Sequence, residues 1–206
     1  TVRWRITRRR LLWGAWVKGS VFGFGDVPWD MRGLAAFEGD AGARPAIVHF
    51  GQPWRSGGVA NPFHPFPYDT IATHGSIPMV DWNPMDGSAA SASDQPAFAL
   101  SHIIDGTYDA YIRAWADGAR AFGRPFLLRM AHEMNGTWYP WSEGVNGNAT
   151  GQYVRAWRHV HDIFAAAGAT NVTWVWCVNA EYPGSLPLAG LYPGDAYVDW
   201  VAMDGY

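Results

Sequence analysis

The segment with the clearest capacity for chemistry is residues 129–141, RMAHEMNGTWYPW, which follows an apolar run. If that run is a strand, the alternation of side chains puts Arg129 and Glu133 on one face and His132 on the other. Burial raises the pKa of a carboxyl group at such a strand end, although a nearby arginine opposes the shift. Glu133 is therefore a candidate general acid that can protonate a glycosidic oxygen. An Arg–Glu pair that only closes the strand end is the alternative.

A second informative segment is residues 192–206, YPGDAYVDWVAMDGY, which ends in a predicted strand. Alternation along this strand puts Trp200, Ala202, Asp204 and Tyr206 on one face. Asp204 and Tyr206 are thus expected to point together into the mouth of the sheet. Asp204 can also be a structural acceptor for loop N–H groups, and both interpretations stay open.

Several other kinds of site are excluded by spacing. His132-Glu133 has Gly136 where a zinc protease needs its second histidine, and the seven histidines show no metal-ligand spacing. A single cysteine, Cys177, permits neither an internal disulfide framework nor a cysteine zinc site, and its apolar surroundings predict an inert core residue. GxSxG, GxGxxG and P-loop motifs are all missing from the sequence. No metal and no cofactor are therefore predicted.

The elements that position these residues are six short apolar runs separated by helical patterns. The predicted strands are Leu11–Trp16, Ala46–Phe50, Ile77–Trp82, Pro125–Ala131, Val172–Val178 and Val198–Asp204. Helical spacing covers residues 104–122 and 154–164, with Gly123 and Gly168 as predicted C-caps, and a further helix is expected from Pro28 to Phe37.

Strands that alternate with helices predict an α/β fold with a parallel sheet. Polar residues follow many of the strands, which favours a (β/α)8 TIM barrel over a doubly wound sheet. Six predicted strands are fewer than the eight of a barrel, so the prediction is an incomplete barrel in which residues 1–206 form one catalytic domain truncated at its C-terminal end.

The composition narrows the range of partners. With 15 Lys+Arg against 18 Asp+Glu, the chain lacks the basic field that a nucleic-acid partner requires. No apolar run approaches the roughly 20 residues of a membrane span. The 13 tryptophans exceed what a core commonly needs, and their flat faces suit sugar rings. Residues 7–13, TRRRLLW, faintly resemble a twin-arginine export signal, but Lys18 interrupts the apolar stretch that follows and argues against a signal peptide.

The motifs together resemble glycoside hydrolase family 26, with a similarity that runs from about Leu12 to Tyr206. The most specific part is HEMNG followed by WYPW, at residues 132–136 and 138–141. Further matches are PAIVHFGQPW at 45–54, IPMVDW at 77–82, NVTWVW at 171–176, YPGD at 192–195 and DGY at 204–206. The resemblance implies a retaining (β/α)8 endo-glycanase. The family consists chiefly of β-mannanases, with some lichenases and β-1,3-xylanases.

The resemblance also implies roles for individual residues. Glu133 matches the general acid/base, while Arg129 and His132 match residues that position the catalytic carboxylates and the sugar. Trp138 matches an aromatic residue of the cleavage subsite, and Tyr206 matches a tyrosine that hydrogen-bonds the nucleophile. That nucleophile is a glutamate at the end of the seventh strand, so it is expected beyond Tyr206 and not in this chain.

Four further residues are expected to contact the substrate in the same cleft: Asp204, Trp54, Trp82 and Trp141. Internal β-1,4-mannosidic linkages are the expected target, with mixed-linkage β-1,3-1,4-glucan as the alternative. Another class of function is an inactive fragment or carbohydrate-binding platform, since the 206 residues alone are not expected to hydrolyse either polymer. A third mechanism is inverting, with Asp81, Glu181 or Asp204 as the partner carboxylate. A polysaccharide substrate implies a secreted or extracellular protein.

Overall fold

The structure, a computed structural model, describes residues 11–205. The arginines of the twin-arginine segment and Tyr206 lie outside the described residues. Seven strands form one sheet: β1 (Gly14–Ala15), β2 (Ile47–Ser56), β3 (Val59–Ala60), β4 (Ile77–Asp86), β5 (Phe126–Met130), β6 (Val172–Asn179) and β7 (Trp200–Asp204). All six predicted strands are present, and β3 is an additional short strand that folds back antiparallel onto β2.

The six main strands are parallel and lie in the order β1-β2-β4-β5-β6-β7, which is their order along the chain. A doubly wound sheet reverses its strand order at a switch point, whereas a barrel adds each strand beside the previous one. Within residues 11–205 the sheet has six of the eight strands of a barrel. The predicted incomplete (β/α)8 architecture is confirmed.

In the part of the chain that the structure describes, five α-helices connect the strands: α1 (Arg32–Ala41), α2 (Pro65–His74), α3 (Leu100–Ile104), α4 (Asp109–Phe122) and α5 (Gln152–Ala167). Gly123 and Gly168 adopt φ angles of 70° and 73° as C-caps of α4 and α5, as predicted. The helix expected from Pro28 begins only at Arg32. The spacing over residues 104–122 belongs to two helices, because α3 ends at Ile104.

The helices described here lie on one face of the sheet. Phe50, Val80, Leu128 and Trp174 share a row across four strands, and Phe50 contacts Tyr68 of α2 while Trp174 contacts Phe164 of α5. The next row, Gly51, Asp81 and Arg129, faces the opposite, concave side. Polar side chains of neighbouring strands therefore meet inside the curve of the sheet.

The expectation that Trp54 and Trp82 line the cleft is wrong, since both are at most 1% exposed. The ring of Trp82 lies 4.5 Å from that of Trp115 in α4 and 4.9 Å from that of Trp54. The physical reason is strand alternation: Asp81 faces the concave side, so Trp82 faces the helices. These tryptophans are the centre of the hydrophobic core.

None of the helices described is both long and apolar enough to cross a membrane.

Candidate active site

Charged residues converge in a cavity of about 420 Å³ on the concave face of the sheet. Five residues that the sequence singled out line it: Arg129, His132, Glu133, Asp204 and Asp81, the last as a candidate partner in an inverting mechanism. The other lining residues are Trp16, His49, Gly51 and Tyr139. The cavity thus collects side chains from β2, β4, β5, β7 and the loop after β5.

Arg129 is the centre of the charge network. Its Nη1 and Nη2 donate to the two carboxylate oxygens of Asp204 at 3.1 and 2.7 Å, and its Nε lies 3.0 Å from Oδ1 of Asp81. His49 Nε2 lies 2.9 Å from the same Asp81 oxygen. A buried guanidinium is costly unless its charge is compensated, and here one carboxylate lies on each side of it. Arg129 therefore pairs with two aspartates and fixes Asp204 by a bidentate contact.

Glu133 follows β5 in a loop with an unusual backbone. Ala131 and Glu133 adopt φ angles of 44° and 53°, so the strand alternation does not continue past Met130. His132 and Glu133 consequently both face the cavity, and the expectation that His132 lies on the opposite face from Glu133 is wrong. The loop is tied to β6, since Glu133 N donates to Cys177 O at 2.8 Å.

The sequence HEMNGTW has a physical explanation in this loop. Asn135 bonds the backbone of Asn179 twice, through Nδ2 to its O and through Oδ1 from its N, each at 2.8 Å. A Cβ at Gly136 would lie 2.5 Å from the Trp138 ring, so only glycine lets the indole fold back over the loop. The Trp138 Nε1–H then donates to Oε2 of Glu133 at 2.8 Å. Trp138, which the resemblance assigns to the cleavage subsite, is half-buried and contacts the Glu133 carboxyl group, but it is not among the residues that line the cavity.

Trp141 does not line the cavity, contrary to expectation. It is fully buried, stacks on Tyr139 at a ring distance of 4.4 Å, and donates from Nε1 to His132 O at 2.8 Å. Tyr139 in turn shares a hydrogen bond of 3.1 Å with His132 Nε2. Trp141 therefore supports the loop from beneath and holds the histidine that faces the cavity.

Burial and neighbouring charges set the protonation states. Burial raises the pKa of Glu133 above its usual value, the adjacent Asp204 carboxylate raises it further, and the Trp138 N–H opposes both. Burial lowers the pKa of His132 to about 4. Burial by itself would raise the pKa of Asp81, but its contact with His49 and the charge of Arg129 outweigh burial and lower it. The cavity thus combines a carboxyl group that tends to keep its proton with a neutral imidazole.

The donor atoms of His132, Glu133 and Asp204 lie within 4.8 Å of one another, a spacing that a metal ion can bridge. The surrounding contacts oppose a cation, because both Asp204 oxygens already bind the Arg129 guanidinium and Glu133 accepts from Trp138. The arrangement suits proton transfer better than metal ligation.

The same geometry bears on the inverting alternative. An inverting pair requires its carboxyl groups roughly 6.5–9.5 Å apart, whereas oxygens of Glu133 and Asp204 lie within 4.8 Å of each other. Glu181 is exposed and does not line the cavity, and Asp81 is held by Arg129. Asp204 is held by the Arg129 guanidinium, with the Cys177 Sγ also 3.4 Å from its Oδ1. The acceptor role proposed for Asp204 is observed, but its donors are side chains and not loop N–H groups.

Sequence reasoning did not select His49 or Tyr139 as site residues. His49 alternates with the buried Val48 and Phe50 in β2, and this alternation is a signal that places it on the concave face. Tyr139 lies in the WYPW string, where no spacing rule distinguishes a cavity residue from a buried one.

Known proteins with a similar fold and sequence identify the family. A β-mannanase from a symbiotic protist of the termite Reticulitermes speratus, solved with a gluco-manno-oligosaccharide, superimposes with a TM-score of 0.66 at 22% identity. The match covers 95% of this chain and 64% of that one, and it shows the shared fold.

Two curated relatives share more of the sequence. Endoglucanase H of Acetivibrio thermocellus is 42% identical over 146 residues, which is 68% of this chain and 15% of the relative. Mannan endo-1,4-beta-mannosidase A and B of Caldalkalibacillus mannanilyticus is 35% identical over 89 residues, which is 41% of this chain and 17% of the relative. The chain therefore spans less than a fifth of the length of either relative.

The model of glycosyl hydrolase family 26 matches residues 67–206, which include β4 to β7 and the whole HEMNG-x-WYPW segment. This match covers more than half of the chain. The chain belongs to glycosyl hydrolase family 26.

Proposed function

We propose that this chain supplies the acid/base side of a retaining endo-β-glycanase, with Glu133 as the general acid/base. The observation that carries the proposal is the environment of one carboxyl group. Glu133 faces an open cavity, its pKa is raised by burial, and an indole N–H orients its Oε2 at 2.8 Å. A carboxyl group with a raised pKa keeps its proton to a higher pH than an exposed one does and can transfer it to a leaving oxygen.

In the proposed reaction Glu133 first protonates the glycosidic oxygen while a carboxylate attacks the anomeric carbon. It then removes a proton from the water that hydrolyses the glycosyl-enzyme. By the family resemblance, the attacking carboxylate is a glutamate beyond Tyr206. Asp204 suits this role poorly, because both of its oxygens are bound by Arg129. We assign Arg129 and Asp204 to positioning, and His132 and Trp138 to contact with the sugar at the cleavage point.

The first candidate substrate is a mannan-type polysaccharide with internal β-1,4 linkages. It is supported by relatives named mannan endo-1,4-beta-mannosidase, among them the one that is 35% identical. A β-glucan is the second candidate, and it has a specific observation in its favour: the relative with 42% identity over 146 residues is named an endoglucanase. Mannose and glucose differ at the C2 hydroxyl, which a few positioned polar groups can distinguish. A polymer of either kind implies an extracellular site of action.

The test compares hydrolysis of mannan, mixed-linkage β-glucan and β-1,3-xylan by the wild-type protein and by Glu133→Gln. It uses the 206-residue chain and a version that includes any residues encoded after Tyr206. Glu181→Gln is the matched control, because Glu181 is an exposed carboxylate outside the cavity. We expect the longer version to release reducing ends, Glu133→Gln to lose this activity and Glu181→Gln to keep it.

Two further readouts separate the mechanisms. Proton NMR of the first product should show the β-anomer before mutarotation, since retention is expected; an α-anomer would indicate inversion. If the 206 residues alone show turnover that depends on Glu133, Asp204→Asn tests for a nucleophile within this chain. Loss of that turnover in Asp204→Asn would identify Asp204 as the nucleophile. Oligosaccharide binding without turnover by either version would instead support a carbohydrate-binding platform.

A further inference from the structure

Two more cavities adjoin the one at Glu133, and all three share Gly51. One, of about 360 Å³, is lined by Trp29, Gln52, Asn61 and His64 together with prolines. The other, of about 260 Å³, lies between Trp16 and Trp29. Because Gly51 belongs to the lining of all three, the cavities form one groove that leads away from Glu133 across β2.

Trp29 gives this groove an aromatic surface. Its side chain is 58% exposed, although most large apolar side chains of the protein are buried. The ring is held edge-on against the buried Phe50 at 6.0 Å. Asp30 fixes the adjacent backbone by accepting from Gly25 N at 3.0 Å and from Arg32 N at 3.1 Å. The indole is therefore a supported, exposed flat face, which suits stacking against a sugar ring.

Polar groups with fixed orientations lie across from this face. Gln52 donates from Nε2 to Asn61 O at 3.3 Å and to Pro62 O at 3.0 Å, which leaves its Oε1 as an acceptor. His64 accepts from Phe66 N at Nδ1, so the neutral ring carries its proton on Nε2 and can donate. The cavity around Trp29 and Gln52 has neither a carboxylate nor a lysine or arginine in its lining, whereas the cavity of about 260 Å³, which Trp29 also lines, contains Lys18 and Asp26. An aromatic face with a neutral acceptor and a neutral donor matches an uncharged sugar and its hydroxyl groups.

Gly51 lies at the junction of the cavities. It is exposed, and a Cβ built on it meets no atom within 4 Å. A larger side chain at this strand position would project into the groove without displacing protein atoms. Because glycine has no side chain, the passage from the Glu133 cavity to Trp29 stays open at this position.

From these observations we infer that the Trp29 groove binds sugar units of the same polysaccharide chain that is cleaved at Glu133, at a distance from the cleavage point. The inference rests on the proposed function, since it takes the glycan at Glu133 as given. The continuity of the groove through Gly51 selects this occupant over a separate ligand. Trp29 and Gln52 then make the protein favour long chains over short oligosaccharides.

The test is calorimetric binding of manno- and gluco-oligosaccharides of two to six units to Glu133→Gln, made in the version that includes any residues encoded after Tyr206, because this variant is expected not to turn them over. Affinity of this parent should rise with length. We expect Trp29→Ala to weaken binding of the hexasaccharide by about five- to tenfold, as expected for the loss of one stacking contact, and to leave the disaccharide unchanged. Trp29→Phe should retain most of the affinity, and Gly51→Leu should lower that of the hexasaccharide.

Trp200→Ala is the matched control, because Trp200 is also exposed, at 45%, but lines none of the three cavities. Equal loss at all lengths, or no loss, with Trp29→Ala would overturn the inference. The inference would also be overturned if Trp29→Ala lowered the melting temperature but left the dependence of affinity on oligosaccharide length unchanged. That result would mean that another part of the protein covers Trp29. If the parent binds no glycan of any length, the proposed function fails as well; a normal parent with an unaffected Trp29→Ala overturns this inference alone.

Discussion

Trp82 and Trp138 illustrate the two regions into which this protein divides its aromatic residues. Trp82 is inaccessible to solvent and packs against Trp54 and Trp115 between the sheet and the helices. Trp138 is half-buried, and its N–H binds the Glu133 carboxyl group. The Trp82 N–H has only a long contact, 3.4 Å, to the Tyr111 hydroxyl. Residue type alone therefore does not tell whether a tryptophan belongs to the core or to the site. The side of the sheet on which it lies does.

The two regions also differ in how they are stabilised. On the helix side of the sheet the aromatic rings exclude water, and the free energy comes from apolar burial. On the concave side the buried charges of Arg129, Asp81 and Asp204 compensate one another. We expect substitutions in the first region to change the free energy of unfolding at every pH, and substitutions in the second to change proton transfer, binding and the pH dependence of stability.

The largest expected effect is on the concave side. In the version that includes any residues encoded after Tyr206, Glu133→Gln should reduce polysaccharide hydrolysis by about 10²- to 10⁴-fold, because the amide has the shape of the acid but no proton to donate. Aryl glycosides with good leaving groups should lose much less in the first step, since they need little protonation. Rates of glycosylation for both substrate types provide the measurement. Equal losses for the two would contradict the acid/base role.

The matching change on the helix side is Trp82→Ala. It should lower the free energy of unfolding by about 3–5 kcal/mol, because it leaves a cavity among Trp54, Trp115 and Phe164. Denaturant unfolding followed by fluorescence measures the loss, with the exposed Trp200→Ala as control. A Trp82→Ala protein with unchanged stability and a raised Michaelis constant would instead show that Trp82 lines the cleft and does not belong to the core.

His132 predicts a pH dependence of stability. Its pKa of about 4 in the folded protein lies below the unfolded value of 6.5, since burial disfavours the imidazolium. Between these values the unfolded chain binds the extra proton, so stability rises with pH by up to about 1.4 kcal/mol per pH unit from this group. The raised pKa of Glu133 acts in the opposite direction above its usual value of 4.5, because there the folded state holds more protons.

The difference between wild type and His132→Gln isolates the histidine contribution. We expect the variant to lose stability less steeply than wild type as the pH falls from 6.5 to 4. Urea unfolding at several pH values measures the slopes, and the His132 ring resonance should titrate near pH 4. Identical slopes, or a ring that titrates near its usual value, would show that His132 is not buried in the neutral form.

The comparison also explains which features could be predicted from sequence. Continuous apolar runs allowed all six main strands to be predicted, whereas β3, with Val59 and Ala60 alone between Gly58 and Asn61, has no such run. Helix α2 was not predicted, because it begins within the proline-rich residues 61–67; Pro65 is tolerated there since it occupies the first turn. Alternation with the inward-facing Asp81 implies the buried position of Trp82, but the prediction placed Trp82 in the cleft because of its residue type. The orientation of His132 could not follow, because the positive φ angles of Ala131 and Glu133 interrupt that alternation.

The smallest expected effect concerns the single hydrogen bond between the Trp138 N–H and the Glu133 carboxyl group. The Trp138 N–H lowers the pKa of Glu133, so Trp138→Phe, which keeps a ring but removes the donor, should raise that pKa further. A general acid works only while protonated, so the alkaline limb of the pH–activity profile should move to higher pH, with affinity reduced by no more than about 1 kcal/mol. Tyr182→Phe is the control, because Tyr182 packs against the Trp138 ring at 5.7 Å and gives Glu133 no hydrogen bond in the described structure. An alkaline limb that stays in place in Trp138→Phe, or one that moves equally in Tyr182→Phe, would mean that the indole orients the sugar without tuning the acid.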